Sequence, residues 1–254
     1  SWKPASEIFG KVDGEWKNVT KALTKVDDTW KTVYVNTNTS DSPTVEIVSW
    51  ANGTDEQIAA LVAAADAGQI DLVEDAGWKV GDTRAVSLSA MEATGTYNGV
   101  TWSVDETHVA QDVEFVLMNK GGKELEDGTE CHFIVGMKNC LETPGYMNST
   151  YTSNGGWESC ARRTWCNGAF YQAIPSALRP IFKQFKNVTA TGTGSDSATS
   201  TDYFALPSEK EVFGSVSHAN SSAESSNSQF TWYATSANRL KTMNTDLWWE
   251  RSPH

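Results

Sequence analysis

The final stretch Leu247-Trp248-Trp249-Glu250-Arg251-Ser252-Pro253-His254 is the strongest indicator of the fold of this chain. It sets two large aromatic residues against a charged pair and a proline, a residue that ends helices. We interpret the two tryptophans as part of a strand. Because the strand pattern stops at His254, we expect the natural polypeptide to continue beyond that residue.

The N-terminal region carries a short repeat. Pairs of tryptophan and lysine recur every 14 residues, at Trp2-Lys3, Trp16-Lys17 and Trp30-Lys31. The turn dipeptides Asp13-Gly14 and Asp27-Asp28 lie between alternating apolar positions, which predicts one β-hairpin in each complete unit. A single hairpin is marginally stable, so the repeats are expected to pack together or on a neighbour. The incomplete first copy again indicates a fragment of a longer protein.

Three regions follow from these patterns. Residues 1–35 are predicted to be β-hairpin repeats that serve as a spacer or attachment module. Residues 36–44 form a polar linker without an apolar period. Residues 45–254 are predicted to form one larger domain, truncated at its C-terminus.

The larger domain is predicted to have an α+β fold, because short strands, a few helices and long polar loops alternate along it. Strands are predicted at residues 45–50, 84–88, 113–118, 131–137 and 203–206. Helices are predicted from a capping box at Thr54 to Gly68, over residues 157–170, from Pro175 onward, and from a capping box at Ser208 to Gly214. The polar stretches 190–201 and 215–229 are predicted to be loops, the first of them mobile.

Charge and hydropathy argue against two classes of partner. The 254-residue chain has a formal net charge of −12, and phosphate backbones repel an acidic chain, so no nucleic-acid partner is expected. No apolar run approaches the ~20 residues that a membrane span requires, so no membrane partner is expected. The 11 tryptophans are expected to supply both the core and an amphipathic binding surface.

The sequence lacks the usual signatures of enzymes and metal sites. Its cysteines, which form no CxxC pair, are Cys131, Cys140, Cys160 and Cys166. Its histidines, which form no i,i+4 pair, are His108, His132, His218 and His254. No metal, cofactor or catalytic residue is therefore predicted. The cysteines are interpreted as buried free thiols, with a Cys131–Cys140 disulfide as the alternative in an oxidising setting.

A series of motifs, in order along the chain, carries a resemblance to a known family. The motifs are Ile70-Asp-Leu72, Trp78-x-Val-Gly-Asp82, Arg84, Leu88-Ser-Ala-Met91, Met147-Asn148, Gly156-Trp-Glu-Ser159, Arg162-Arg-x-Trp-x-Asn167, Ala173-Ile-Pro175, Tyr203-Phe-Ala-Leu206, Ser208-Glu-Lys-Glu-Val-Phe-Gly214 and Trp248-Trp-Glu-Arg-Ser-Pro253. On these motifs, residues 45–254 resemble an uncharacterised domain family, frequent in gut bacteria and their bacteriophages, with a variant of the C-type-lectin and formylglycine-generating-enzyme fold.

The resemblance implies a C-type-lectin-like fold without oxidase activity. Formylglycine-generating enzymes use a cysteine pair that binds copper, and Cys160 and Cys166 do not map onto that pair. In the family, a Gly- and Asn-rich segment with closing strands follows the Trp-Trp motif. Some phage relatives of this fold vary loop positions near the C-terminus to change their host receptor.

Two sets of candidate site residues follow. Loop aromatic and amide side chains suit recognition, since rings offer contact area at low entropic cost and amides adapt their hydrogen bonds. These ligand-binding candidates are Tyr146, Asn148, Tyr151, Asn154, Trp232, Tyr233, Asn238, Arg239 and Asn244. The structural candidates within the family motifs are Trp157, Arg162, Arg163, Trp165, Trp248, Trp249 and Arg251.

The charges within the second set have two interpretations. With Glu158 and Glu250, the arginines either line a polar binding site rimmed by tryptophans or form a salt-bridge network that fixes the helix over residues 157–170 against the Trp-Trp strand. We favour the structural network, because residues within core motifs usually support the fold.

The hairpin repeats resemble modules of phage tail and tail-tip proteins, which directs the functional hypothesis. We expect a non-enzymatic, tail-associated virion protein on the virion surface that displays a lectin-like domain for host recognition. Its expected partners are a host-cell surface receptor or glycan and other virion subunits, including copies of itself in a homo-oligomer. The alternatives are a bacterial cell-surface adhesin and a virion decoration protein with a purely architectural role.

Overall fold

A computed structural model divides the chain into two compact units, Ser1–Thr44 and Val45–His254. The residues that it describes are 9–12, 15–18, 21–26, 29–35, 45–150, 152, 154–192, 196–217 and 224–239. The Trp2-Lys3 pair, the linker 36–44 and the Trp248-Trp249 motif lie outside the described residues.

The smaller unit contains the two β-hairpins that the repeat predicts. Its strands are β1 (Phe9–Val12), β2 (Glu15–Asn18), β3 (Lys21–Val26) and β4 (Thr29–Val35). Strands β1 and β2 pair antiparallel with Lys11 opposite Trp16, and β3 and β4 pair antiparallel with Lys25 opposite Trp30. The two repeats therefore pair in the same register at their turns.

Among the described residues of the larger unit, the strands form one three-stranded sheet and two separate hairpins. They are β5 (Thr83–Leu88), β6 (Thr94–Tyr97), β7 (Val100–Ser103), β8 (Gln111–Lys120), β9 (Phe133–Met137), β10 (Phe185–Ala190) and β11 (Ser197–Asp202). The sheet has the order β5-β8-β9, while β6 pairs with β7 and β10 with β11, all antiparallel. The strands predicted at residues 84–88, 113–118 and 131–137 are confirmed.

Short helices accompany these strands, so the predicted α+β class is confirmed. The helices are α1 (Asp55–Asp66), α2 (Gly156–Ser159), α3 (Ala161–Trp165), α4 (Tyr171–Ala173), α5 (Glu209–Phe213) and α6 (Thr231–Ala234). A π-helical turn at Cys166–Phe170 joins α3 to α4, and 3-10 turns occupy Arg179–Ile181 and Ser236–Arg239.

Both predicted capping boxes form. At the start of α1, the Gln57 amide donates to Thr54 Oγ1 at 3.2 Å, and the Thr54 amide donates to Gln57 Oε1 at 2.7 Å. At the start of α5, Ser208 and Glu211 exchange the same two bonds. The reciprocal pairs satisfy amides that have no partner within the helix.

The middle of strand β8, residues 115–118, is buried on both faces of the sheet. Phe115 and Leu117 lie in the main core cluster, whereas Val116 and Met118 lie in a second cluster with Tyr233. Side chains alternate between the two faces of a strand, so the sheet has apolar cover on each side.

The predicted helix over residues 157–170 is interrupted. Cys160 is extended, with φ −80° and ψ 148°, and it separates α2 from α3. Its Sγ accepts a hydrogen bond from the Arg163 amide at 3.4 Å, so Cys160 caps the second helix. The apolar stripe predicted helical character correctly but did not reveal this break, which tertiary contacts impose.

Two other helix and loop predictions are wrong. A helix beginning near Pro175 does not form; residues 176–181 make turns and one 3-10 turn, because Pro180 lacks an amide proton and restricts the residue before it. Residues 190–201 are not a loop throughout, since residues 197–201 belong to β11, which pairs with β10. Low-complexity composition hid a hairpin whose polar side chains are partly buried.

The strands predicted at residues 45–50 and 203–206 are also absent. Side chains satisfy the backbone there instead of strand neighbours. Trp78 Nε1 donates to the Val48 carbonyl at 2.9 Å, and Asn167 Oδ1 accepts from the amides of Tyr203 and Phe204 at 2.6 and 3.3 Å.

Candidate functional site

The loop before α2 is anchored by a buried arginine. Arg162, on α3, donates from Nε and Nη2 to the carbonyl of Tyr146 at 3.0 and 2.8 Å. Its Nη2 also forms an ion pair with Glu106, and its amide donates to the Met147 carbonyl at 2.9 Å. Three bonds to two consecutive carbonyls hold this part of the loop against α3.

Gly145 permits this close approach. A Cβ at this position would collide with the Arg162 guanidinium and the Glu106 carboxylate. The loop backbone therefore lies directly on the ion pair, and a side chain at position 145 would require the Arg162 guanidinium or the Glu106 carboxylate to move.

Asn148 fixes the next part of the loop. Its Oδ1 accepts from the Ala161 amide at 2.9 Å, and its Nδ2 donates to the Thr152 carbonyl at 3.3 Å. This predicted ligand-binding residue is thus a link between the loop and α3. Its side-chain oxygen is already used within the protein.

Tyr146 presents its ring to solvent from this anchored backbone. The residue is 67% exposed, although its own carbonyl is clamped by Arg162. Asn154 is also exposed, and its amide donates to Thr152 Oγ1 at 3.2 Å. Tyr151 lies outside the described residues. We name residues 144–148 the Tyr146 loop.

The second group of predicted ligand-binding residues covers the sheet instead. Tyr233 is 1% exposed and packs in the core cluster with Val116, so its ring is not available at the surface. Asn238 Nδ2 donates to the Trp232 carbonyl and Arg239 Nε to the Tyr233 carbonyl, each at 2.8 Å. The side chains of Asn238 and Arg239 therefore stabilise the turn after α6. The remaining predicted residue of this group, Asn244, lies outside the described residues.

A buried aspartate connects the helical segment to the β10–β11 hairpin. The Asp202 side chain is 0% exposed and pairs with Arg163, whose Nε lies 2.6 Å from Oδ1. Its other donors, at 2.6 to 3.2 Å, are Trp157 Nε1, Asn167 Nδ2, Asn187 Nδ2 and Ser200 Oγ. We name this set of residues the Asp202 network.

The partners of the two motif arginines differ from those expected. The sequence suggested that Glu158 and Glu250 accompany them, but Arg162 pairs with Glu106 and Arg163 with Asp202. Arg163 also donates to the backbone carbonyl of Glu158 at 3.2 Å. Glu250, Trp248, Trp249 and Arg251 lie outside the described residues, so the predicted contact with a Trp-Trp strand stays a prediction.

A cavity of about 460 Å³ lies within the larger unit. Aromatic and aliphatic side chains dominate its lining, among them Trp50, Trp78, Phe115, Phe133, Phe170 and Phe182. Gly145 and Arg162 also contribute to its wall, so the cavity adjoins the Tyr146 loop.

His108 and Trp165 are buried neighbours in the same wall, with ring centroids 4.9 Å apart. Within the part of the chain that the structure describes, neither ring nitrogen of His108 nor Nε1 of Trp165 has a hydrogen-bond partner. His108 Nε2 lies 3.9 Å from Glu106 Oε1, too far for a hydrogen bond.

Burial lowers the pKa of His108, and the positive charge of Arg162 lowers it further, while Glu106 opposes both effects. The imidazole is therefore neutral at pH 7. This environment could not be predicted from the sequence, because His108 belongs to no motif with a recognisable spacing.

The four cysteines, all of them described residues, form no disulfide. Cys160 and Cys166 are buried, as predicted, and burial raises their pKa values to about 11 and about 12. Cys131 and Cys140 are half-buried in the cavity wall. Because the thiolate is the nucleophile, Cys160 and Cys166 are poorly suited to covalent chemistry.

The described ranges contain neither a candidate metal-binding cluster nor a helix able to span a membrane. There, no group of three or more His, Cys, Asp or Glu residues is placed to hold a metal ion. Over the same ranges, no helix has the length and apolar character that crossing a membrane requires.

Comparison with known proteins gives one partial match. Residues 134–254 are similar to a family described as a domain of unknown function (DUF6273). No curated protein and no solved structure matches the chain. The matched region includes the Tyr146 loop, Arg162 and Asp202, whereas Glu106 and His108 precede it.

Proposed function

We propose that this protein is a non-enzymatic, tail-associated phage virion protein that displays a C-type-lectin-like domain for host-surface recognition. The observation that carries the proposal is the Tyr146 loop, in which a tyrosine that is 67% exposed lies on a backbone held by a buried arginine.

This combination suits recognition for an energetic reason. Binding costs free energy when a loop or side chain must become ordered, so a loop held before binding loses less. The bonds from Arg162 to Tyr146 and Met147, with those of Asn148, supply that order in advance. Exposed tyrosine then offers a large contact area and a hydroxyl for hydrogen bonding.

The hairpin repeats support attachment to a larger assembly. Both repeats place lysine opposite tryptophan in the same register, as expected for copies of one small module. Their resemblance to modules of phage tail proteins favours a virion surface over a free enzyme. On this proposal the partners are other virion subunits, including copies of the same chain, and a receptor or glycan on the host cell.

The lectin-like fold is part of the proposal. It rests on the motifs that resemble the phage and gut-bacterial family and on the α+β architecture with its displayed loop.

The test measures binding of the purified full chain to cells of the bacterium that the phage infects. We expect Tyr146→Ala to weaken binding about 30-fold, because truncating a central aromatic contact typically costs about 2 kcal/mol or more. Val109→Ala is the matched control, since Val109 is a 63% exposed apolar residue outside the loop. Equal loss in both variants, or none in Tyr146→Ala, contradicts a recognition role for the loop.

The location is tested separately by mass spectrometry of purified virions. Peptides of this chain in virions, at a constant ratio to tail proteins, support the proposal. Their absence from virions and presence in the bacterial envelope would instead identify a cell-surface adhesin.

A further inference from the structure

Three tyrosines from separate parts of the larger unit form a row of rings. They are Tyr97 at the end of β6, Tyr171 at the start of α4 and Tyr203 directly after β11. The rings of Tyr171 and Tyr203 are stacked with centroids 4.3 Å apart, and the ring of Tyr97 lies 6.1 Å from that of Tyr171. All three residues are half-buried, and we name them the tyrosine row.

The tyrosine row rests on ordered neighbours. The ring of Phe204 lies 6.4 Å from that of Tyr171 and packs in turn against Phe182, with centroids 4.9 Å apart. Asn167 Oδ1 accepts a hydrogen bond from the Tyr203 amide at 2.6 Å. Because these contacts hold the row before any ligand arrives, binding would require little further ordering.

The three hydroxyl groups of the row are open to a ligand. None of them has a hydrogen-bond partner in the part of the chain that the structure describes, and none belongs to the buried polar atoms that lack a partner, so all three reach solvent. Burial raises the pKa of Tyr171, and the nearby Tyr203 and Tyr97 raise it further. The Tyr171 hydroxyl therefore keeps its proton at neutral pH and can donate a hydrogen bond.

Arg179 supplies a positive charge beside the row. Its Nε donates to the Ile174 carbonyl at 2.8 Å, which fixes the guanidinium and leaves Nη1 and Nη2 as further donors. Among the described residues, no carboxylate forms an ion pair with it. Its charge acts on Tyr171, where it opposes the rise in pKa. A guanidinium without a counter-charge, next to protonated hydroxyls, attracts an anion and repels a cation.

We propose that Arg179 and the tyrosine row bind a phosphomonoester, with the guanidinium paired to the phosphate and the hydroxyls donating hydrogen bonds to its oxygens. A phosphomonoester carries a charge of about −1.5 to −2 at pH 7 and has three strong acceptor oxygens. A carboxylate has a single charge and only two oxygens. The phosphate therefore matches a guanidinium surrounded by several donors better than a carboxylate does. The inference does not depend on host recognition by the Tyr146 loop.

The probe is glycerol phosphate, added to the full chain labelled with ¹⁵N-tyrosine at about pH 7.5, above the second phosphate pKa of about 6. Glycerate is the matched carboxylate, glycerol is the matched uncharged compound, and the ionic strength is held constant. Binding is followed by NMR of the tyrosine amide signals, and each Tyr→Phe variant identifies one signal by its loss. We expect glycerol phosphate to shift the signals of the tyrosine row saturably and to bind about tenfold more tightly than glycerate. Glycerol should cause no saturable shift.

Three variants make the result specific. Arg179→Gln removes the positive charge and should weaken binding of glycerol phosphate about tenfold, from the usual strength of hydrogen bonds to charged groups. Tyr171→Phe keeps the ring but removes one hydroxyl, so we expect a loss of about fivefold. Lys120→Gln is the matched control, because it removes the same charge from an exposed lysine outside the row, and it should change the affinity by less than about twofold. Thermal unfolding verifies that each variant folds.

Three results would overturn the proposal: no saturable shift of the signals of the tyrosine row, glycerate binding as tightly as glycerol phosphate, or equal losses of affinity in Arg179→Gln and Lys120→Gln. If Tyr171→Phe does not fold, Arg179→Gln and the comparison of the three compounds still decide the question. Since none of these measurements uses host cells, a failure of this proposal is distinguishable from a failure of host recognition.

Discussion

Replacing Asp202 by asparagine should destabilise the larger unit strongly. Asparagine keeps the shape of the side chain but removes the charge that pairs with Arg163 at 2.6 Å. One carbonyl oxygen remains for Trp157, Asn187 and Ser200. The new NH₂ group, however, faces the donors of Arg163 and Asn167 that Asp202 Oδ1 now satisfies.

The magnitude follows from the burial of the pair. Removing one partner of a buried ion pair typically costs about 3–5 kcal/mol. The side chain of Asp202 is fully buried, but that of Arg163 is 23% exposed, so water recovers part of the loss. We therefore expect a fall of about 3 kcal/mol in the free energy of unfolding, at the lower end of that range.

Urea unfolding of the full chain, followed by tryptophan fluorescence, measures this change. Asp196→Asn is the matched control, because Asp196 is exposed beside β11, and it should alter the free energy by less than about 0.5 kcal/mol. The corresponding fall in Tm for Asp202→Asn is about 6–12 °C, at 2–4 °C per kcal/mol for a unit of this size. A loss below about 1 kcal/mol would refute a stabilising role for this network.

Three further predictions concern the loop, the histidine and the thiols. Gly145→Ala should lower the free energy of unfolding by about 1–3 kcal/mol, because the new Cβ meets Arg162 and Glu106. Denaturant unfolding measures this change, with the exposed substitution Ser149→Ala as the control. A Gly145→Ala variant as stable as the unsubstituted chain would contradict the prediction. The lowered pKa of His108 means that the unfolded chain binds more protons below pH 6.5. Stability should therefore fall by up to about 1.4 kcal/mol per pH unit as the pH drops from there toward the folded pKa. In His108→Gln, this loss of stability below pH 6.5 should disappear. If the free energy of unfolding of the variant depends on pH as that of the unsubstituted chain does, the prediction is wrong. Burial and a pKa of about 12 should keep Cys166 from reacting with a thiol reagent until urea unfolds the chain; mass spectrometry of labelled peptides measures this, and labelling under native conditions would show that the site opens.

Features set by neighbouring residues could be predicted from the sequence. The capping boxes at Thr54 and Ser208 depend on residues three positions apart, and both form. The hairpin repeats likewise depend on short turns between alternating apolar positions. In these cases the interacting groups are adjacent along the chain, so local pattern suffices.

Features set by distant partners could not be predicted. Glu106 is 56 residues from Arg162, and Asp202 is 39 from Arg163, and no spacing rule relates them. The break at Cys160 also depends on contacts with residues distant in the chain. So does the hairpin at residues 185–202, where polar side chains are buried because Asp202 accepts their hydrogen bonds. Asn148 and Tyr233 were predicted to bind a ligand because their residue types suit recognition. In the structure their side chains contact other parts of the protein instead, and these contacts could not be predicted from the sequence.

The most direct measurement of the central proposal is competition for phage adsorption. Purified full chain is added in increasing concentration to host cells before the phage, and the adsorption rate constant is determined. We predict that the chain lowers this rate constant saturably, while Tyr146→Ala does so only at about 30-fold higher concentration. An adsorption rate that saturating protein leaves unchanged would contradict host recognition by this domain.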